Sequence, residues 1–381
     1  MNTLKSQFLL DENIHFLNHG SFGACPRPVF ADYQEWQRKL EHEPVRFMED
    51  EVLLALANSR KALSELVGCE ANDLVYFPNP TTALNTFIRN MDLYPGDEVL
   101  TTNHEYGALD RTWKYYCQRW KARYRRQHIR LPLQSREDFI EQLWAGVNER
   151  TRCIFISHIT SPTALIFPVA EICRRAREKG IMTIVDGAHV PGHIDLNISE
   201  LDADVYAGAC HKWLCAPKGT SFLWVRPEHQ HRVHPLVVSW GWESEQPGES
   251  QFLDWHQWQG TRDMSAFLAV PAAIRFQQEH GWDLIRNQCH QWVLDTIQAV
   301  QDITGVPPLC PASSTWLGQM GSMAIPVRDP ERFRKQLLTD YHIEIPVFQW
   351  ENHVFIRVSY QGYNDKDDMT ILTRAIKRLL P

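Results

Sequence analysis

The 381-residue chain lacks any apolar stretch near the roughly 20 residues that a membrane-crossing helix needs. Its opening, MNTLKSQFLLDENIHF, has no unbroken apolar run of the kind a secretory leader carries, so a cytoplasmic protein is expected. Internal repeats, low-complexity tracts and a disordered linker are also missing, which predicts parts packed against one another. No cysteines stand at CxxC spacing. The nine present are odd in number and scattered, which speaks against a disulfide framework and for reduced thiols. Cys210, His211 and Cys215 cluster, but no second ligand pair lies nearby at finger-like spacing, so no metal is expected. An excess of positive charge is missing too. Lys and Arg number 39 against 46 Asp and Glu, a net charge of -7, which argues against nucleic acid or anionic membrane as a partner. The local exception is Arg119, Lys121, Arg123, Arg125, Arg126 and Arg130, interleaved with Trp120 and Tyr124. It reads as a solvated helix end running into an edge strand.

What is present is an ordinary globular composition, 44% hydrophobic and 22% charged, on a chain long enough for one large and one small domain. Short apolar runs recur through the first two-thirds: LVYFP from Leu74, DEVLTT from Asp97, RCIFISH from Arg152, MTIVDGAH from Met182, DVYAGACH from Asp204 and TSFLWV from Thr220. Helix-like segments separate them, such as PVAEICRRAREKG, whose 3.6-residue periodicity ends at Gly180. This alternation predicts an α/β unit around a mostly parallel sheet with helices on both faces. Beyond about residue 270 the pattern changes. A long helix is expected from Ser265 past Ile274, then SMAIPV, a helix over PERFRKQLLTDY, the runs IEIPVF and HVFIRVS, and a closing helix from Asp365.

Ligands of open α/β sheets gather at the carboxyl ends of strands. MTIVDGAH ends a buried strand with Asp186, and DVYAGACHKW ends another with His211 and Lys212. A lysine there, beside His211 and Trp213, is poorly solvated, which favours the neutral amine that attacks an aldehyde. A carboxylate ending one strand is by itself most often a turn former or helix cap; the pairing with Lys212 is what carries weight.

VDGAH followed by HKW resembles the class V aminotransferase family. The strings FLNHGSFGACP, NHEYGALD, SHITSPTALIFPV, ACHKWLCAPKG, WQGTRD and IRVSYQGYN are most similar to its isopenicillin N epimerase-like branch. The matches run in family order from Phe16 to Asn364. The resemblance implies a fold-type I transferase that depends on pyridoxal 5′-phosphate (PLP). A large domain (17–270) would hold a mostly parallel seven-stranded sheet, and residues 1–16 and 271–381 a smaller α+β domain. It further implies that Lys212 is the Schiff-base lysine and proton shuttle, that Asp186 pairs with the ring nitrogen, and that His189 contacts the ring oxygen. Thr81 and Thr82 in NPTTALN open a helix suited to the phosphate, with His211 a further phosphate candidate. Tyr106 is the aromatic residue expected over the ring, His104 the second choice, with a core tyrosine as the ordinary alternative. Ser161 falls near the ring oxygen, Thr261 reaches a neighbouring subunit's phosphate, and Arg357 holds the substrate α-carboxylate. As a purely structural residue, Arg357 would need a buried anionic partner. Arg262 and the segment from Asn18 and His19 to Ser21 are weaker substrate contacts. A homodimer with its site at the subunit interface and an amino-acid substrate follow from the same resemblance.

Two departures stand out. Where related enzymes carry a Ser or Asn phosphate ligand, this chain has Ala209. The stretch DYHIEIPVFQWENHVFIR lacks the catalytic cysteine of the desulfurases. The resemblance points to epimerisation at an amino-acid centre, with C–S lysis of a cysteine derivative and transamination as alternatives. A non-catalytic PLP-binding protein is the reading from another class. Trp240, Trp242, Trp255 and Trp258 are expected either in a pocket for a bulky group or at a dimer contact.

Overall fold

The computed structural model describes residues 4–380. Strand β1 (His15–Phe16) precedes a seven-stranded sheet made of β2 (Leu74–Phe77), β3 (Glu98–Thr102), β4 (Arg123–Gln127), β5 (Thr151–Ser157), β6 (Met182–Gly187), β7 (Val205–Ala209) and β8 (Ser221–Val225). Strands β9 (Met320–Ile325), β10 (Ile343–Glu344), β11 (Val347–Trp350) and β12 (His353–Ser359) follow. The main sheet runs β2-β8-β7-β6-β5-β3-β4. Its pairs are parallel except for β8, which is antiparallel to both neighbours. Strands β6 and β7 are buried almost throughout because helices cover both faces. Alternation along β2 shows the two layers: Leu74 and Tyr76 enter one core, Val75 and Phe77 the other.

Because β5, β6 and β7 are parallel, their carboxyl ends open on one edge, where Ser157 lies beside Asp186 and Gly187 beside Gly208. Helix Pro80–Ile88 starts on the heels of β2. Asn79 caps it by accepting from the Thr82 amide at 2.8 Å, and Pro80 occupies a first-turn position that needs no N–H.

Three departures from the sequence pattern have identifiable causes. The helix expected from Ser265 is two helices, Ser265–Leu268 and Val270–Glu279. Pro271 supplies no amide for the turn that would join them. The run IEIPVF is also split, with β10 pairing in parallel with β1 and β11 antiparallel with β12. Pro346, between them, has no N–H to continue a ladder. The longest helix, Trp282–Thr304, is not anticipated as a unit. It buries Cys289, Val293, Thr296, Ile297 and Val300 on one stripe and packs on β9 and the closing helix Lys366–Leu379.

The basic segment is an edge strand, β4. Arg123 and Arg125 lie 3.5 and 3.6 Å from Glu98, and Arg126 lies 3.6 Å from Asp110. Among the described residues, no helix is long and apolar enough to cross a membrane.

Candidate active site

A cavity of about 390 Å³ opens at the carboxyl edge of the sheet. Its wall includes Thr81, Tyr106, Ser161, Asp186, His189, His211 and Lys212, seven of the residues singled out from sequence. Ser21, Phe22, Asn79, Ser157 and Ile159 also line it. Larger grooves of about 620 and 760 Å³ lie elsewhere, edged by surface ion pairs such as Arg286 with Asp195 and Arg174 with Glu171.

Lys212 Nζ lies 3.2 Å from His189 Nε2. The Trp213 indole N–H donates to His189 Nδ1 at 3.3 Å, so a neutral His189 carries its proton on Nε2 and directs it at the lysine nitrogen. Burial, then the charges of Lys212 and Arg357, hold the His189 imidazole well below its ordinary pKa. Burial and then Arg357 pull the Lys212 ammonium down to about 8, against the opposing effect of Asp186. The amine is therefore available near neutral pH.

The loop that carries this lysine is clamped. The His19 ring N–H at Nε2 donates to the Lys212 carbonyl at 3.0 Å, while its Nδ1 accepts from the Tyr363 hydroxyl at 3.0 Å. His193 lies on the face of Trp213 with centroids 3.9 Å apart, and its Nδ1–H donates to the His189 carbonyl at 2.9 Å. Gly23 has φ +69°, and a Cβ there would fall 2.0 Å from the His211 carbonyl oxygen. Only glycine lets the N-terminal segment run this close to the lysine loop.

Asp186 is buried and accepts the Ala188 amide at 2.9 Å. Burial raises its carboxyl pKa despite that amide and Lys212. A further buried carboxylate, Glu105, accepts from the Ser157 amide at 2.9 Å, the Ser157 hydroxyl at 2.7 Å and the Thr102 hydroxyl at 2.7 Å. Burial carries Glu105 up to about 7, with Asp186 adding to the rise and the hydrogen bonds opposing it. Sequence reasoning missed Glu105, although a carboxylate three residues beyond a fully buried strand was a usable signal.

Arg357, on β12, is buried. Its Nη1 donates to the Ser161 carbonyl at 2.6 Å and hydroxyl at 3.2 Å, its Nη2 donates to the Ser21 hydroxyl at 3.0 Å, and its Nε has no partner among the described residues. The anionic partner that a structural role would require is not among these contacts; every acceptor is neutral. Burial pulls the guanidinium down to about 10. Arg357 is not itself on the cavity wall but meets it through Ser21 and Ser161, and a buried cation held only by neutral groups calls for an anion from outside the chain.

Several expected positions lie elsewhere. Thr82 spends its amide and hydroxyl on Asn79 at 2.8 and 3.1 Å, leaving Thr81 as the threonine on the cavity. His104 is turned into the core. Its Nδ1 meets the Thr163 hydroxyl at 2.7 Å, and its ring lies 4.8 Å from Trp350 and 5.6 Å from Phe167. Tyr106 instead lines the cavity and is 47% exposed. Asn18 accepts the Ser21 hydroxyl at 2.5 Å, so it and His19 support cavity groups from behind. Thr261 is exposed and lies off the cavity wall; Arg262 packs over Phe267 at 5.2 Å. Trp242 and Trp255 pack together at 4.7 Å, Trp240 is exposed, and none of the four tryptophans lines the cavity. Ala209 is a buried methyl with no donor to offer, while His211 uses Nδ1 on the Thr220 carbonyl at 2.9 Å. No cysteine lines the cavity, and the stretch before Arg357 is the β11–β12 hairpin.

This set of groups fits PLP. A poorly solvated amine suits an aldehyde, and a buried carboxylate with one amide donor suits a protonated ring nitrogen. The first turn at Thr81 suits a phosphate.

The aminotransferase class-V family model matches residues 24–372. The chain is 32% identical to an isopenicillin N epimerase of Amycolatopsis lactamdurans, across 98% of this chain and 97% of that one. It is 28% identical to a probable chloroplastic L-cysteine desulfhydrase of Arabidopsis thaliana, across 97% and 84%. A solved structure of C-DES, with glycine covalently linked to its PLP cofactor, superposes with a TM-score of 0.85 at 20% identity, covering 98% of each chain.

Proposed function

The chain belongs to the class V aminotransferase family, and from that premise we propose that it is a PLP-dependent epimerase acting at the α-carbon of an amino acid. The observation that carries the reading is the buried Arg357, which donates to Ser161 and Ser21 on the wall of the cavity that holds Lys212 and Asp186 and has no acid upon it among the described residues. Bound PLP lowers the barrier to breaking a bond at the amino-acid α-carbon. Lys212 would hold the cofactor through Nζ, Asp186 would face its ring nitrogen, His189 and Ser161 would lie toward its ring oxygen, and Thr81 and His211 would meet its phosphate.

The chain's own groups then have separate tasks. Arg357 binds the substrate carboxylate as a fork and fixes the α-carbon. Lys212 Nζ, with a pKa brought down to about 8, takes up and returns a proton at that carbon. Inversion needs a second proton carrier, a role proposed for Tyr106, which lines the cavity and carries a hydroxyl. Support for the reading comes from the 32% identity to isopenicillin N epimerase along nearly the whole chain.

A second reading, β-elimination from a cysteine derivative, is supported by the 28% identity to L-cysteine desulfhydrase and uses the same proton removal. Incubation with L-amino acids in deuterated water separates the two. Solvent label with inversion supports epimerisation; release of pyruvate and ammonia supports lysis. Consumption of an added keto acid with neither would replace both by transamination.

The active assembly proposed is a homodimer with the site at the subunit contact. Phe22 and Tyr106, both on the cavity wall, are 72% and 47% exposed in one chain, and Thr261 is exposed as well. Exposed aromatic residues beside the cavity mouth support a subunit contact at that place. Light scattering of the purified protein at about twice the 44.4 kDa chain mass is the expected result, and a monomer at full activity would dismiss it.

A further inference from the structure

The carboxyl edge of the sheet holds two buried carboxylates, and the chemistry above uses only one. Glu105 follows β3, Ser157 closes β5 and Asp186 lies near the end of β6. Ser157 is the register partner of Asp186 and lines the cavity. Both its amide and its hydroxyl are donated to Glu105 Oε2, while Glu105 Oε1 takes the Thr102 hydroxyl. The side chain is thus held by three donors from two strands, with no Lys, Arg or His paired to it among the described residues. A carboxylate without a cation, fixed one strand away from a second carboxylate, is an expensive arrangement for a fold that needs only an anchor; a neutral amide could accept the same Ser157 donors.

We propose that Glu105 is an electrostatic positioning residue for the cofactor site: in its ionised form, fixed through Ser157 behind Asp186, it strengthens the hold of that carboxylate on the protonated ring nitrogen that the α-carbon chemistry requires. The titratable groups that face it are Asp186 from β6 and Tyr124 from β4. The effect is physical and direct. A negative charge behind Asp186 raises the proton affinity of the ring nitrogen that Asp186 would meet and, across the ring, of the Lys212 nitrogen once it held the cofactor. Thr102 and Ser157 fix where that charge sits. The proposal rests on the PLP reading above and goes beyond it, since no part of that reading assigns a role to Glu105.

The test compares the PLP-loaded wild type with Glu105→Gln and Glu105→Asp by titrating the visible absorption band of the bound cofactor against pH. Gln keeps the shape and the acceptor toward Ser157 but removes the charge. Its band is expected to interconvert at a pH lower by roughly one unit, the order of effect for one charge removed from a buried site. Glu105→Asp, which keeps the charge, is expected to stay within about half of that shift of the wild type. Thermal unfolding of each variant reports folding separately. A folded Glu105→Gln protein whose band titrates where the wild type does overturns the inference and leaves the PLP reading intact. A Glu105→Asp protein shifted as far as Glu105→Gln reduces Glu105 to a structural anchor and overturns it as well. A wild type that takes up no PLP overturns both.

Discussion

Replacing Arg357 with methionine separates what this residue does for the fold from what it does for the substrate. The guanidinium is buried and donates only to Ser161 and Ser21, with Nε unpaired. Burying a charge without a counterion costs several kcal/mol, and its hydrogen bonds to neutral acceptors return about 1.5–3 kcal/mol each, so the two nearly cancel. Methionine fills much of the volume, and the freed serine hydroxyls can turn to the cavity. The melting temperature should therefore move by no more than about 2 °C, since roughly 1 kcal/mol shifts a chain of this length by one or two degrees. Catalysis should behave differently. Losing one side of a buried charged pair costs about 2–5 kcal/mol, so kcat/KM for an amino acid should fall roughly 30- to 5000-fold. PLP-dependent turnover of the matching decarboxylated amine, which has no carboxylate to lose, should change little. Removing Arg357 also lifts a charge that depresses Lys212, so the lysine pKa should rise from about 8. Steady-state kinetics on both compounds, with calorimetry of the apo-proteins, decides the matter. A melting point lowered by more than about 8 °C, with equal rate losses on the acid and the amine, would refute the assignment and make Arg357 a structural residue.

Three further outcomes follow from the same geometry. The rate at which apo-protein captures PLP should rise with pH with a midpoint near 8, because the ammonium is unreactive and Lys212 loses its proton there; a midpoint near 10 by stopped-flow absorbance would show an unperturbed lysine. Tyr106→Phe should retain exchange of the α-hydrogen for deuterium yet lose inversion at least tenfold, as chiral chromatography would report, whereas unchanged inversion excludes its hydroxyl as the second proton carrier. His104→Phe, confined to the core between Trp350 and Phe167, should leave kcat/KM within about twofold and alter only the melting temperature; a hundredfold rate loss would place His104 in the chemistry after all.

The readable parts of this molecule were those whose cause is local. Runs buried on both faces, such as MTIVDGAH and DVYAGACH, declare parallel strands without help from the rest of the chain, and the residues just beyond them land on one sheet edge because parallel strands must end together. That is why Asp186, His189, His211 and Lys212 converge on one cavity. The less readable parts depend on contacts distant in sequence. His104 and Tyr106 are two residues apart in one loop, and only Thr163, Phe167 and Trp350 send the first inward and leave the second on the cavity. Glu105 gains meaning only when Ser157 arrives from β5. Pro271 and Pro346 were visible from the start, and their breaks could have been drawn from the missing amides alone.

The central claim is that Lys212 is the amine that holds PLP, and reductive trapping tests it most directly. The PLP-loaded protein is reduced with borohydride, digested and mapped by mass spectrometry. The account predicts a single phosphopyridoxyl group on the peptide containing Lys212 and none in Lys212→Ala; a label on another lysine, or an unlabelled wild type, would contradict it.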